Sequence, residues 1–166
     1  MLSNLSNKPE KIMKILLPVD GSEVSLEAVR FVIRMASSGL ACSAVLANVQ
    51  ETATLYELMV AHDPNVIEEV SAAAGSHMLE PAEALLQAAQ IDYECEVATG
   101  DPAHTIIDIV ERYQCDMVVM GASGTSTLRR ALLGSVSNEV LHAAPVPVVI
   151  VKLEETATPE APETPE

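Results

Sequence analysis

The chain has 166 residues, 49% of them apolar, with no Trp, one Phe and a formal net charge of −15. That length suits one domain, and the composition makes its core aliphatic. So acidic a chain is excluded from broad contact with nucleic acid, where Lys and Arg supply the affinity, and its charge disfavours anionic membrane surfaces. No apolar stretch approaches the ~20 residues that span a bilayer, and Met1–Glu10 lacks the apolar centre of a signal peptide. Cys42, Cys95 and Cys115 are spaced too widely for a disulfide framework or a zinc cluster. Scattered reduced thiols fit a cytoplasmic location, and Cys115, just before an apolar run, reads as an inert core thiol.

A polar, flexible N-terminus over residues 1–10 leads into the first apolar run, Ile12–Val19. Ala44–Val49, Met117–Met120 and Val146–Val151 are similar runs. All are rich in Val, Ile and Leu without strict alternation, as in parallel strands covered on both faces. Ile91–Ala98 alternates apolar and acidic residues, which predicts a strand near the edge with one wet face.

Helical patterns separate the runs. After Ser22, a predicted N-cap, Leu26, Val29, Ile33 and Ala36 form one stripe. Asp63-Pro64 and Asp101-Pro102 each place a capping side chain before a proline at the first helical position. The stripe after Asp63 runs Val66, Val70, Ala74, Met78, Ala82, Leu85, Leu86 and Ala89, with Pro81 inside it predicting a kink or a break. Ile106, Ile109 and Val110 mark a third helix, and Ser135, Val136, Val140 and Leu141 a fourth. Strand–helix alternation throughout gives an open α/β sheet. Glu51–His62 reads as a mobile connection. In the tail over residues 153–166, Pro159, Pro162 and Pro165 are each followed by Glu, a period that suits a solvated, disordered polyproline II segment.

Ligands in doubly wound sheets bind beyond the carboxyl ends of the strands, and two such ends carry suitable chemistry. One is Pro18-Val19-Asp20-Gly21-Ser22. The other is Met120-Gly121-Ala122-Ser123-Gly124, followed after nine residues by Gly134-Ser135. Gly121 and Gly124 let backbone N–H groups approach an anion, and a helix beginning at Gly134-Ser135 offers free N–H groups and a favourable dipole. Commoner phosphate motifs are missing: there is no G-x-x-x-x-G-K-[ST], and no G-x-G-x-x-G follows the first strand. Arg129 and Arg130 lie inside the loop and could offset the repulsion of a polyphosphate by an acidic body, or pair with surface carboxylates. Asp20 could order a divalent cation together with phosphate oxygens, or serve only as a carboxylate at a helix start. His62, His77, His104 and His142 show neither metal-ligand spacing nor an obvious nucleophile partner; His104, after Gly100-Asp101-Pro102, reads as a surface histidine, with an approach to the ligand as the alternative.

The pattern Gly121-x2-Gly124-x9-Gly134-Ser135 resembles the nucleotide-binding motif of the universal stress protein family, in its ATP-binding branch. The resemblance extends over residues 11–152, through Lys14-Ile15-Leu16-Leu17-Pro18-Val19-Asp20-Gly21-Ser22 and Pro145-Val146-Pro147-Val148-Val149-Ile150-Val151. It implies a five-stranded parallel sheet in the order 3-2-1-4-5 with helices on both faces, the Rossmann-like adenine nucleotide alpha hydrolase-like fold. It implies ATP, ADP or AMP as ligand, with Mg²⁺ or Mn²⁺ at Asp20. On the same ground Asp20, beside Pro18 and Ser22, lies near ribose, phosphates or metal, the Val49 backbone meets adenine, and Met120 lines the floor. Gly121, Gly124, Thr125, Arg129, Gly134, Ser135 and Val136 surround ribose and phosphates. Asn48 stands where many relatives have His. The apolar strand Val146–Val151, at a predicted sheet edge, is covered in the family by its mate in a homodimer. The function so implied is that of a nucleotide-dependent regulator in the stress response. The alternatives are a slow ATPase or self-phosphorylating protein using Ser123, Thr125 or Ser126, and a nucleotide-free dimeric scaffold. No convincing catalytic base is visible.

Overall fold

The computed structural model describes residues 11–52, 64–123 and 133–153. Among these residues nine elements alternate: β1 (Met13–Pro18), α1 (Glu23–Ser37), β2 (Cys42–Gln50), α2 (Pro64–Ala88), β3 (Tyr93–Thr99), α3 (Pro102–Tyr113), β4 (Met117–Gly121), α4 (Ser135–Ala143) and β5 (Val148–Val151). The strands form one sheet in the order β3-β2-β1-β4-β5 with every pairing parallel. This is the predicted topology.

Both faces of the central strands are buried, which explains why their sequences do not alternate. Ile15, Leu17, Leu46 and Val119 pack against Ala28, Val29 and Val32 of α1 and Leu79, Ala82 and Leu86 of α2. On the opposite face Leu16, Val45, Val118 and Met120 pack against Ile106, Ile109 and Val110 of α3 and Val140 of α4. Each large aliphatic side chain fully removed from water contributes roughly 1.5–3 kcal/mol. β3 lies at one edge with Glu94 exposed as its alternation predicts, but Cys95 on the apolar side is exposed too, and Glu96 is half-buried because Arg112 and Tyr113 of α3 donate to it. Cys115 is buried, and loss of water around it pushes its thiol up to about 11.

Two caps form as the sequence predicts. The Ser22 side chain accepts from the Ser25 N–H at 3.2 Å, and the Asp101 carboxylate from the His104 N–H at 3.0 Å. Asp63, the third proposed cap, lies outside the described residues, as do residues 1–10, most of Glu51–His62 and the tail from residue 154.

The predicted stripes need correction. In α1 the buried face is Val24, Ser25, Ala28, Val29 and Val32, whereas Leu26, Ile33 and Ala36 are only half-buried. In α2, Val66 and Val70 are exposed, at 53% and 63%. The reason is geometric. α2 meets the sheet at Gly75, where an added Cβ would lie 2.5 Å from Val97 Cγ1 and 2.8 Å from Asn48 Oδ1. β2 and β3 end two residues beyond these contacts, at Gln50 and Thr99. The turns of α2 before Gly75, at ~1.5 Å per residue, therefore overshoot the sheet and find no strand to cover. In α4, Leu141 is likewise exposed, and Ser137 with Val140 forms the buried face.

Pro81 does not break α2, which is assigned as helix throughout Pro64–Ala88. Its ring is on the solvent side, where water can hydrate a carbonyl one turn back that lacks a helical donor.

Candidate functional site

The strand order reverses between β1 and β4, whose direct pairing runs only through Ile15↔Met117 and Leu16↔Val118. Beyond these pairs, at the carboxyl ends, a cavity of about 520 Å³ opens. Pro18 lines it from β1 with Val19 just beyond, Asn48 to Gln50 from β2 with Glu51 just beyond, Met120 and Gly121 from β4, and Ser135 to Ser137 from the start of α4. Met78 of α2 and Pro102 and Ile106 of α3 complete opposite walls.

The backbone at the end of β2 is presented by strand alternation. The Ala47 carbonyl accepts from the Val19 N–H at 2.8 Å, whereas the Gln50 carbonyl accepts from the Gly100 N–H at 2.9 Å. Ala47 thus points its polar backbone toward β1, and so does Val49, two residues on. β1 has already ended at Pro18, so the Val49 backbone faces the cavity.

Two segments meet on the far side. The Ala122 N–H donates to the Val151 carbonyl, and the Gly134 N–H donates to the Ala122 carbonyl, both at 2.7 Å. These bonds fix the start of α4 against the end of β4. Ser137 strengthens the joint by donating its hydroxyl to the Gly121 carbonyl at 2.9 Å. Gly134 is the N-cap and supplies no side-chain cap, so the first N–H groups of α4, which lack intrahelical acceptors, begin at the cavity wall.

Pro18, Asp20, Val49, Met120, Gly121, Gly134, Ser135 and Val136 are therefore brought together around one space. Gly124, Thr125 and Arg129, with Arg130, lie outside the described residues. Ser22 does not line the cavity. Its hydroxyl donates to Asp20 Oδ1 at 2.5 Å while capping α1, and its N–H donates to the same carboxylate oxygen at 3.0 Å. These bonds fix the Asp20 side chain over the turn at Gly21, whose φ of +79° disfavours a side chain. His104 also lies off the cavity lining.

Gly121 has a role that the motif did not reveal. A Cβ there would lie 3.0 Å from Val24 Cγ1 and 3.1 Å from the Val24 carbonyl carbon. Its missing side chain admits α1 against β4, so its absence serves packing as well as the cavity.

Asn48, which the sequence marked only as a departure from the family's His, and Gln50, which it did not mark, form a polar wall. Asn48 is 2% exposed, donates Nδ2 to the Val19 carbonyl at 2.8 Å and accepts from Gln50 Nε2 at 2.6 Å. The Met78 thioether closes over this pair, 3.5 Å from Asn48 Nδ2. A polar residue within the apolar run Ala44–Val49 was the available signal, because a buried amide needs partners.

This arrangement matches known proteins. The model of the universal stress protein family fits residues 11–152. The chain belongs to that family. Among curated relatives, universal stress protein MJ0531 of Methanocaldococcus jannaschii is 30% identical over 150 residues, covering 90% of this chain and 88% of its own. The solved structure of protein MJ0577 superposes with a TM-score of 0.75 at 24% identity, over 87% of this chain and 98% of that one. A family member from Arabidopsis thaliana, solved with AMP bound, superposes with a TM-score of 0.63 at 21% identity, over 90% and 97%. Among the described residues, no helix is long and apolar enough to cross a membrane.

Proposed function

We propose that this universal stress protein binds an adenine nucleotide in the cavity and acts as a nucleotide-dependent regulator in the cytoplasm. The observation that carries the reading is the opposition of two backbone surfaces across one space. The Val49 backbone faces it from β2, and the α4 N-terminus, without a side-chain cap, borders it from the other side. The first suits the edge of a base. The second suits phosphate, through N–H donors and the helix dipole. The volume falls within the ~300–1,000 Å³ of small-molecule sites. AMP in the Arabidopsis family member supports the same ligand class here.

ATP, ADP and AMP share these recognition groups. Among the described residues that line the cavity, the charged ones are Asp20 and Glu51, both acidic. A polyphosphate therefore needs a counter-charge, which Mg²⁺ or Mn²⁺ at Asp20 would supply, aided by Arg129. Asp20, oriented by Ser22, would hold the ion. Ser135 and Val136 would donate backbone N–H groups to phosphate.

The first test is to purify the protein without added ligand and identify any small molecule released on denaturation. An adenine nucleotide is expected. Thermal melting should then show stabilisation by Mg-ATP or Mg-AMP of about 2.7 kcal/mol at 100 times Kd. No shift at millimolar concentrations of either would overturn the reading. Ser135→Asp should abolish the shift yet preserve the fold, because a carboxylate suits a helix N-terminus but repels phosphate. Steady ADP release lost in Asp20→Ala would instead mark a slow ATPase.

The proposal includes a homodimer through β5. Val118 N–H donates to the Pro147 carbonyl and Ala122 N–H to the Val151 carbonyl, so alternate residues of β5 face β4. Val148 and Ile150 then turn their N–H groups to the outer edge, which suits pairing with a second copy. Ile150→Pro removes one outward donor without touching the β4 ladder. Sedimentation should show a wild-type dimer and a monomeric variant; two monomers would refute the interface.

A further inference from the structure

Outside the cavity, Asp101, His104 and Glu139 bring three metal-ligating side chains together at the seam between α3 and α4. His104 Nδ1 lies 2.8 Å from Asp101 Oδ1 and 3.9 Å from Glu139 Oε1, and one ligand atom from each residue falls within 4.8 Å of the others. We propose that this triad binds a single zinc-class divalent transition-metal ion.

The donor set suits such an ion: one imidazole nitrogen and two carboxylate oxygens, with water at an open fourth position. A tetrahedron with metal–ligand bonds of ~2.0–2.1 Å has edges of about 3.3 Å, between the two distances seen here. Small side-chain rotations would equalise them. All three side chains are exposed, so an ion reaches them from solvent without opening the fold. The backbones are already fixed, because Asp101 caps α3 and His104 sits in its first turn, while Glu139 lies within α4. The cap does not conflict: Asp101 Oδ1, the oxygen 2.8 Å from His104 Nδ1, also accepts the His104 N–H, and an ionised carboxylate oxygen has a further lone pair for the metal.

The site is distinct from the proposed metal position at Asp20 and does not depend on nucleotide binding. It has a mechanical consequence. Pro102 and Ile106 follow the Asp101 cap on one cavity wall, and Ser135 to Ser137 precede Glu139 on another. An ion joining Asp101 and His104 to Glu139 straps the two walls together.

The test is calorimetric titration of the full chain with Zn²⁺ alone, in a non-chelating buffer at neutral pH, for wild type, His104→Ala, Glu139→Gln and His142→Ala. One equivalent is expected to bind wild type and His142→Ala alike, with at least tenfold weaker binding in His104→Ala and in Glu139→Gln. Thermal melting should show a Zn²⁺-dependent rise in Tm lost in the same two variants, each of which is expected to melt normally without metal. Unchanged affinity in Glu139→Gln would overturn the proposal, because the ion would not bridge the helices. So would equal affinity for Mg²⁺, the mark of a diffuse carboxylate cluster, or the absence of a saturable Zn²⁺ site in wild type.

Discussion

The two ends of the sheet are built from the same strands yet finished differently. At the amino end, neighbouring segments are closed against each other. The Asp116 N–H donates to the Lys14 carbonyl at 2.7 Å, the Lys14 N–H returns a bond to Asp116 Oδ2 at 2.9 Å, and Lys11 pairs with the same carboxylate. Lys14 Nζ also reaches Glu94 at 3.0 Å, tying β1 to the β3 edge. At the carboxyl end, β1 stops at Pro18 while β2 continues to Gln50, and the polar backbone it uncovers is left to a cavity. The contrast separates residues that hold the sheet from residues that turn polar groups to the cavity. Asn48 and Ser137 are buried side chains that do both, each lining the cavity while donating to a carbonyl at or just beyond a neighbouring strand's end.

Substitutions at the two ends should therefore have different signatures. The largest loss of stability is expected for Gly75→Val, about 3 kcal/mol by chemical unfolding, since its Cβ collides with Val97 and Asn48 and its branch allows little escape. Because the collision reaches the cavity wall, the melting shift with Mg-AMP should fall as well. An unfolding midpoint equal to wild type would mean that α2 can slide away from the sheet, and the geometric account of its exposed first turns would fail.

Asn48→Ala comes next. It leaves the Val19 carbonyl and the Gln50 amide without their partner, at a cost of about 2 kcal/mol. Nucleotide response and stability should decline together; a decline in only one would show that Asn48 serves a single end of the contrast.

The smallest effect belongs to the amino end. Lys11 and the Lys14 N–H hold the Asp116 carboxyl below its ordinary pKa. A carboxyl with a depressed folded-state pKa contributes stability above its unfolded pKa and loses that contribution as pH falls through the folded one. Asp116→Asn should flatten this part of the acid side of the stability profile and leave the nucleotide-induced shift unchanged. A changed shift would break the separation of the two ends.

Much of this architecture was legible in the sequence because its causes are local or compositional. Aliphatic runs without alternation announced strands covered on both faces, and Ser22 and Asp101 announced their caps. The glycine spacing from Gly121 to Ser135 led through family resemblance to the strand order and to the strand ends where the cavity opens. Helix phase was less legible. Val66, Val70 and Met78 keep a helical apolar period, but burial depends on where the sheet ends, and that is set by strand lengths elsewhere in the chain.

By itself, then, the sequence determined the alternation of elements, their caps and the strand ends that carry polar chemistry, since propensity and periodicity act over a few residues. Only the tertiary structure decided which groups share a space. It set Gly121 against Val24 of α1, gave Asn48 its partners just beyond β1 and on β2, kept Ser22 off the cavity lining, and gathered Asp101, His104 and Glu139 across a helix seam. Those relations join residues from different elements, and their distances are fixed by how helices pack on a sheet rather than by any local pattern.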